Sequence, residues 1–209
     1  MVVSYRKRLN QVCAILVCAV FTATSAAYPL PSNPDVVEGS ADITVDGGTM
    51  NINADDKTVI NFESFDIAEG ESVIVNLPSI DSEILSRVMG ADATDIAGSL
   101  SCNGVFILVN TSGIFMASTA QIEASGLVMS TLDISNEDFL NSSYLFNKLS
   151  EEELGALLKN EGNITIHEGG FGVLMAGAVE NEGTIIAPLG KIVLAGGDAV
   201  KLDISADGL

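Results

Sequence analysis

Two sets of side chains in this chain of 209 residues could carry catalysis: its histidine and cysteines, and its paired carboxylates. His167 is the single histidine, so a serine or cysteine hydrolase would have to use it as general base. The sequence has no G-x-S-x-G motif, and Cys102 lies far from His167 along the chain. One histidine and Cys102 also fall short of a zinc ligand set. We therefore interpret His167 as an exposed turn residue and Cys102 as a small buried one.

Paired carboxylates are the second candidate, because glycosidases need two acids about 5 to 10 Å apart across a cleft. The pairs are Asp55-Asp56, Asp92 with Asp95, and Glu137-Asp138, which we interpret as solvated turn residues. Residues 203–208 imitate the first half of a calcium loop but lack its bidentate Glu. The sequence therefore predicts a protein that is not an enzyme and has no cofactor or metal site.

Charge and composition limit the partners and the fold. The chain has 28 Asp and Glu against 9 Lys and Arg, a formal net charge of −19, which argues against nucleic acid as a partner. Hydrophobic residues make up 47%, enough for the core of a single domain. Of the three cysteines only Cys102 lies beyond residue 27, so packing must hold the exported fold without an internal disulfide.

The first 27 residues have the pattern of a Sec signal peptide. Arg6, Lys7 and Arg8 precede an apolar run over 12–21, and Ser25 and Ala27 fit a small-residue cleavage site. A transmembrane anchor is the alternative, but it needs roughly 20 apolar residues. We predict a signal peptide over 1–27 and one exported domain over 28–209.

The exported part reads as short strands separated by turns rich in Gly, Asn, Asp and Ser. Residues 160–166 (NEGNITI) return 21 residues later as NEGTIIA, and each copy is followed by a glycine and an apolar strand. A period near 20 residues is typical of a solenoid whose coils stack on each other. We predict an all-β, right-handed parallel β-helix of seven or eight coils, with an antiparallel sandwich as the alternative if the repeat is accidental. A capping box at Ser150 and Glu153, followed by Leu154, Leu157 and Leu158, predicts one short lateral helix.

Two segments carry a resemblance to a known family. Residues 103–115 (NGVFILVNTSGIF) resemble the N-G-x-V-F-L-I-N-P-N-G-I pattern of the filamentous haemagglutinin-type secretion domain of two-partner secretion, also called the haemagglutination activity domain. Residues 126–139 resemble its G-L-V-A-S-T-L-D-I-S-x-E-D-F segment, and 56–67 and 181–196 resemble two others. The resemblance implies a parallel β-helix with an N-terminal cap.

By the same resemblance, the domain is the recognition part of a large exoprotein, adhesin-like or haemagglutinin-like. The Sec machinery exports it, the periplasmic POTRA domains of an outer-membrane transporter bind it, and it is secreted or reaches the cell surface of a Gram-negative-type envelope. Two alternatives stay open: a cell-surface β-helix that binds or cleaves carbohydrate, and an adhesin that itself binds host or surface glycans. The residues we expect to carry recognition are Asn103, Gly104, Asn110, Thr111, Ser112, Gly113, Ser130, Thr131, Leu132, Asp133 and Ile134.

The chain departs from the family pattern at one turn and at its end. Asn110-Thr111-Ser112-Gly113 keeps the Asn and Gly of N-P-N-G but loses the Pro and the second Asn. Gly113 can still adopt a positive φ, so we expect the turn to form, either as a structural element or as a direct contact with the transporter. The sequence stops where the family's long shaft would begin, which favours a fragment over a short orphan protein.

Overall fold

The computed structural model describes residues 30–148 and 156–203, and nearly all of their regular structure is β-strand. In chain order the strands are β1 Asp35–Glu38, β2 Ala41–Asp46, β3 Thr49–Ala54, β4 Thr58–Phe62, β5 Ser72–Asn76, β6 Glu83–Val88, β7 Thr94–Ile96, β8 Ser99–Val109, β9 Ile114–Met116, β10 Gln121–Ser130, β11 Tyr144–Asn147, β12 Leu157–Asn160, β13 Asn163–Ala176, β14 Ala178–Asn181, β15 Thr184–Ile186, β16 Lys191–Gly196 and β17 Ala199–Leu202. One helix, α1 Asn136–Leu140, lies between β10 and β11. The predicted signal peptide lies outside the described residues.

The strands stack in parallel with partners about one repeat apart, which confirms the predicted parallel β-helix. Thr94 pairs with Ile114, 20 residues on, and Asn163 pairs with Thr184, 21 residues on. The solenoid has about six turns, fewer than the seven or eight predicted. One reason is that Gln121 pairs with Asn163 across 42 residues, because the intervening chain leaves the coil.

Three stacks of strands form the faces of the solenoid. Face A contains β2, β3, β5, the first halves of β8, β10 and β13, and β15. Face B contains β1, β4, β6, the second halves of the same three long strands, and β16. Face C contains β7, β9, β12 and β14. A register shift between Ala124 and Gly126 marks the corner at which a long strand passes from face A to face B.

Antiparallel strands occupy the N-terminal end of faces A and B and form the predicted cap. Strand β1 is antiparallel to β4, and β2 is antiparallel to β3, whereas all other pairs in the three faces are parallel. The β2–β3 hairpin turns at Gly47, whose φ of 59° suits glycine. The parallel coil begins at β3 and β4 because each of them has a parallel partner on its other edge.

Two apolar clusters explain why several strands are apolar at consecutive positions. One fills the interior between the three faces, and residues such as Ile52, Phe62 and Ile114 contribute to it from faces A, B and C. The other lies on the outside of face B, where Leu85 and Ile107 pack against Phe139 and Phe146. Face B is therefore buried on both sides, as the runs of apolar residues indicate.

The outer cluster exists because part of the chain folds back over face B. After β10 the chain leaves the coil as a lateral excursion, residues 131–148, which contains α1 and β11. Strand β17 pairs antiparallel with β11 and extends this cover. None of the helices in the described part of the chain is long and apolar enough to span a membrane.

The predicted position of the lateral helix is wrong where the structure describes it. Leu157–Asn160 form β12, while residues 149–155, which hold the whole proposed capping box, lie outside the described residues. Leu158 is buried, and it pairs in register with Ile114 on face C. Pairing with the neighbouring coil overrides the helical pattern of this segment.

The described helix is α1, and a serine caps its N-terminus. Ser135 is the N-cap: its Oγ accepts a hydrogen bond from the Asp138 backbone N at 3.0 Å and donates one to Asp138 Oδ2 at 2.7 Å. Phe139 is the residue of this helix that enters the outer cluster. The S-x-x-D spacing at Ser135 was the sequence signal for this helix.

Ser86 offers a direct test of the interior packing. It lies between Ile60 and Leu108 in register on face B, and its buried Oγ has no hydrogen-bond partner. An unsatisfied buried hydroxyl costs about 1 to 3 kcal/mol, so we expect Ser86→Ala to raise the free energy of unfolding by about 1 kcal/mol in urea titrations. Ser130→Ala is the matched control and should be destabilising, because Ser130 Oγ makes two hydrogen bonds. A loss of stability in Ser86→Ala would contradict this account.

Candidate recognition surface

The residues expected to carry recognition occupy two places in the structure. Asn103 and Gly104 lie at the corner between faces A and B. Asn110–Gly113 form the turn between faces B and C, which we call the B–C corner. Ser130–Ile134 adjoin this corner, because the Asn110 backbone N donates to the Ser130 carbonyl oxygen at 3.0 Å. The structure thus brings together two segments that are 17 or more residues apart in sequence.

Asn110 holds the B–C corner together from inside the protein. Its side chain is fully buried, and its Nδ2 donates to Asp92 O and Thr94 Oγ1, both at 3.0 Å. Its Oδ1 accepts the Ser112 backbone N at 2.9 Å, which closes the turn. In this conformation the Asn110 side chain therefore positions the turn and is not available to a partner.

Glycine is required at the end of the same turn. Gly113 has a φ of 131°, and a Cβ there would lie 3.3 Å from both Ala93 Cβ and Leu157 O. Thr111 is half-buried, Ser112 is exposed, and the Phe115 side chain that follows is 40% exposed. The side chains open to a partner are therefore Thr111 and Ser112 in the corner and Phe115 just after it.

Ser130, the last residue of β10, and Thr131 and Leu132, the first residues of the lateral excursion, are buried. Ser130 Oγ donates to Leu132 O at 2.7 Å and accepts the Leu132 N at 2.9 Å, so the hydroxyl stabilises a local turn. Thr131 N donates to Met175 O at 3.0 Å on the next coil. Leu132 and Ile134 enter the outer apolar cluster. These residues anchor the excursion and offer little side-chain surface.

Arg87 fixes the start of the excursion to face B. Its Nε donates to Asp133 Oδ1 at 2.8 Å, and its Nη1 donates to Asn136 Oδ1 at 2.9 Å. Its Nη2 also donates to the Ile134 carbonyl oxygen. The Arg87 side chain is 12% exposed and that of Asp133 is 22% exposed, so this ion pair is largely shielded from water. Planar multidentate bonding of this kind suits arginine.

Lys57 fixes the other end of the excursion. Its Nζ lies 2.9 Å from Glu83 Oε2, 3.0 Å from Tyr144 Oη and 4.8 Å from the centre of the Phe139 ring. Burial lowers the pKa of Lys57, but the hydrogen bonds to Tyr144 and Glu83 outweigh it, and the net shift is upward. Burial, together with the bond to Glu83, raises the pKa of Tyr144. The roles of both cations were not predicted from the sequence, although Arg87 is the only arginine after residue 8.

Asn103 links two coils at the corner between faces A and B. Its Oδ1 accepts a hydrogen bond from the Leu77 N at 2.7 Å, and its Nδ2 donates one to the Leu77 O at 2.8 Å. The side-chain amide of Asn103 thus bonds both backbone groups of Leu77, as a neighbouring strand would. Gly104 is buried, and a Cβ there would lie 2.6 Å from Ser82 O. Asn103 and Gly104 therefore serve the close packing of successive coils.

His167 and Asp56, two further candidates for chemistry, have structural partners. His167 lies in β13, not in a turn: its Nδ1 is 3.0 Å from Ser125 Oγ and its Nε2 is 3.0 Å from Glu123 Oε1, both on the preceding coil. Asp56 Oδ1 accepts the Glu83 N at 2.8 Å. Within residues 30–148 and 156–203, no group of three or more His, Cys, Asp or Glu residues could hold a metal ion.

Cys102 provides a probe of folding. It is buried in the interior cluster, and burial raises its pKa to about 11. Because the thiolate is the nucleophile, we expect iodoacetamide at pH 8 to alkylate the folded protein at least about a hundredfold more slowly than the urea-unfolded chain. The rate for the folded protein should rise about tenfold per pH unit from pH 8 to 10. Equal rates in the two states would contradict the buried position.

Comparison with known proteins gives consistent matches. The family described as "TPS secretion domain" matches residues 24–208. A heme/hemopexin-binding protein of Haemophilus influenzae strain Rd is 33% identical over 200 residues, which cover 91% of this chain and 22% of that protein. A second H. influenzae protein of the same name is 29% identical over 149 residues, covering 69% and 16% respectively. The chain thus spans about a fifth of the length of these relatives.

A solved structure matches the fold as well. The crystal structure of the HMW1 secretion domain from Haemophilus influenzae superposes with a TM-score of 0.80 at 32% sequence identity. The match covers 82% of this chain and 46% of that one. The shared part includes most of the coils described above.

Proposed function

The chain belongs to the TPS secretion domain family, and on that premise we propose that it is the recognition domain of a large exoprotein. The observation that carries the proposal is the family match over residues 24–208 on a solenoid of the same fold. In the proposed sequence of events, the Sec machinery exports the chain and residues 1–27 are removed. The periplasmic POTRA domains of a dedicated outer-membrane transporter then bind the exported domain and start its secretion.

Within the B–C corner, some residues shape the turn and others are exposed to a partner. Asn110 and Gly113 are buried and shape the turn, whereas Ser112 and Phe115 are exposed beside it. We assign contact with the transporter to Thr111, Ser112 and Phe115 and a positioning role to Asn110. Ser130–Ile134 support the same surface by holding the excursion against face B.

A binding measurement tests the proposal. The chain, purified from the periplasm, is titrated with the purified POTRA domains of the two-partner transporter encoded beside it. We expect saturable binding that Phe115→Ala weakens about tenfold, since exposed aromatic residues dominate many interfaces. Leu189→Ala is the control. Leu189 is apolar and more exposed than Phe115, and it lies just before β16 on the last coil, away from the B–C corner.

The outcomes separate the possible functions. If Phe115→Ala and Leu189→Ala weaken binding equally, the B–C corner is not the contact surface, but the transporter is still the partner. Lack of binding by the unaltered, folded chain would contradict the proposed function. Glycan arrays and lyase assays on the same preparation would then test the two carbohydrate alternatives.

A further inference from the structure

Charge is distributed unevenly along the solenoid. Residues 30–98, which form the cap and the first coils, contain fourteen Asp and Glu residues and two basic residues. Residues 156–203, which form the last coils, contain six acidic and three basic residues. In a parallel solenoid, successive coils of the chain are stacked in order along one axis. The N-terminal end is therefore the strongly negative end of the described structure.

Both cations of the N-terminal end are already engaged in ion pairs. Lys57 is paired with Glu83, and Arg87 is paired with Asp133 beneath the excursion. Acidic crowding is also evident at Asp66: burial raises its pKa, and repulsion by Asp95 and Asp92 adds to the rise. Of the other acids of this end, Glu71 is half-buried and the rest, including Asp42 and Asp46 on β2, are exposed, apart from the paired Glu83.

Strand β2 is the edge strand of face A at this end. Its one strand partner in the described structure is β3. The Asp55 N donates to the Ser40 O at 2.9 Å, which makes Ser40 and Asp55 a hydrogen-bonded pair just before the strand. Because such pairs alternate in an antiparallel ladder, the backbone groups of Asp42, Thr44 and Asp46 point toward β3.

The alternate residues of β2 direct their backbone groups away from β3. These residues are Ala41, Ile43 and Val45. The side chain of Ile43 packs against the interior cluster, whereas that of Val45 is 57% exposed. The edge therefore presents a row of backbone donors and acceptors, with an exposed valine on one side and aspartates on the other.

We propose that β2 is a docking strand that takes up an edge strand from a basic sheet of the transporter's periplasmic domains. This inference rests on the proposed function for the identity of the partner. Main-chain hydrogen bonds to Ile43 and Val45 supply affinity, and Lys or Arg side chains of the incoming strand pair with Asp42 and Asp46. Charge complementarity selects this end over the last coils, whose edge strands lie in a far less acidic part of the chain.

Amide hydrogen exchange on the ¹⁵N-labelled chain tests the docking strand. In the free protein we expect the Ile43 and Val45 amides to exchange rapidly and the Thr44 amide to be protected by β3. In the complex with the POTRA domains, the Ile43 and Val45 amides should become protected by about a hundredfold or more, with little change at Thr44. Alternate protection of this kind distinguishes strand addition from contact through side chains alone.

Charge reversal provides a second readout on the same complex. Asp42→Lys/Asp46→Lys should weaken binding about tenfold in low salt and flatten its salt dependence. Glu168→Lys/Glu180→Lys makes the same change of charge at exposed positions on the last coils and should alter affinity less than about twofold. A complex that forms without protection at Ile43 and Val45 would overturn the docking strand and leave the proposed function standing. Failure to form any complex would overturn both.

Discussion

Arg87→Met is expected to lower the free energy of unfolding by about 3 kcal/mol, because it breaks a shielded ion pair and leaves several acceptors without a donor. The guanidinium reaches Asp133 and Asn136 of the excursion as well as Asn61 on the neighbouring strand β4. Methionine preserves much of the apolar stem and removes the charge. Urea unfolding followed by circular dichroism measures the difference.

Lys148→Met is the matched control for this prediction. Lys148 is paired with Asp198 at 2.6 Å, but the Asp198 side chain is 75% exposed, so the pair is worth less than about 1 kcal/mol. Limited proteolysis adds a local readout, since a released excursion should be cut in residues 131–148 before the coils unfold. Equal stability losses in the two variants would contradict the anchoring role of Arg87.

Asn110→Ala is expected to destabilise the domain by about 2 to 3 kcal/mol, because the Asp92 O and Thr94 Oγ1 lose a buried donor and the Ser112 N loses its acceptor. The midpoint of urea unfolding reports the change. Ser112→Ala should stay within about 0.5 kcal/mol of the unaltered chain, because its side chain is exposed.

The same two variants separate folding of the turn from recognition by the transporter. If Ser112 contacts the transporter, Ser112→Ala weakens binding without a change in stability. Asn110→Ala should affect binding only as far as it unfolds the turn, so low temperature should restore part of the affinity. An Asn110→Ala protein of normal stability would contradict the structural role of this side chain.

Much of the fold could be predicted because the repeat and the strand pattern agree. The spacing of NEGNITI and NEGTIIA corresponds to the pairing of Asn163 with Thr184. The lateral helix was placed wrongly because Leu157 and Leu158 fit helical spacing as well as strand pairing, and contact with Ile114 on another coil decides between them.

The candidate site could be predicted as two sequence segments but not as one surface. Asn110 adjoins Ser130 because successive coils stack. The local sequence does not indicate which turns of neighbouring coils come into contact. The burial of Asn110 is likewise a tertiary property, since asparagine in a turn is more often exposed. The roles of Lys57 and Arg87 depend on contacts with residues more than 45 positions away.

The central claim, secretion through a dedicated outer-membrane partner, is tested most directly by release into the medium. Residues 1–209 are expressed in a Gram-negative host with and without the two-partner transporter encoded nearby, and the domain is assayed in the culture medium and in the periplasm. The proposed function predicts release that requires the transporter. Retention of folded protein in the periplasm in the presence of every such transporter would contradict it.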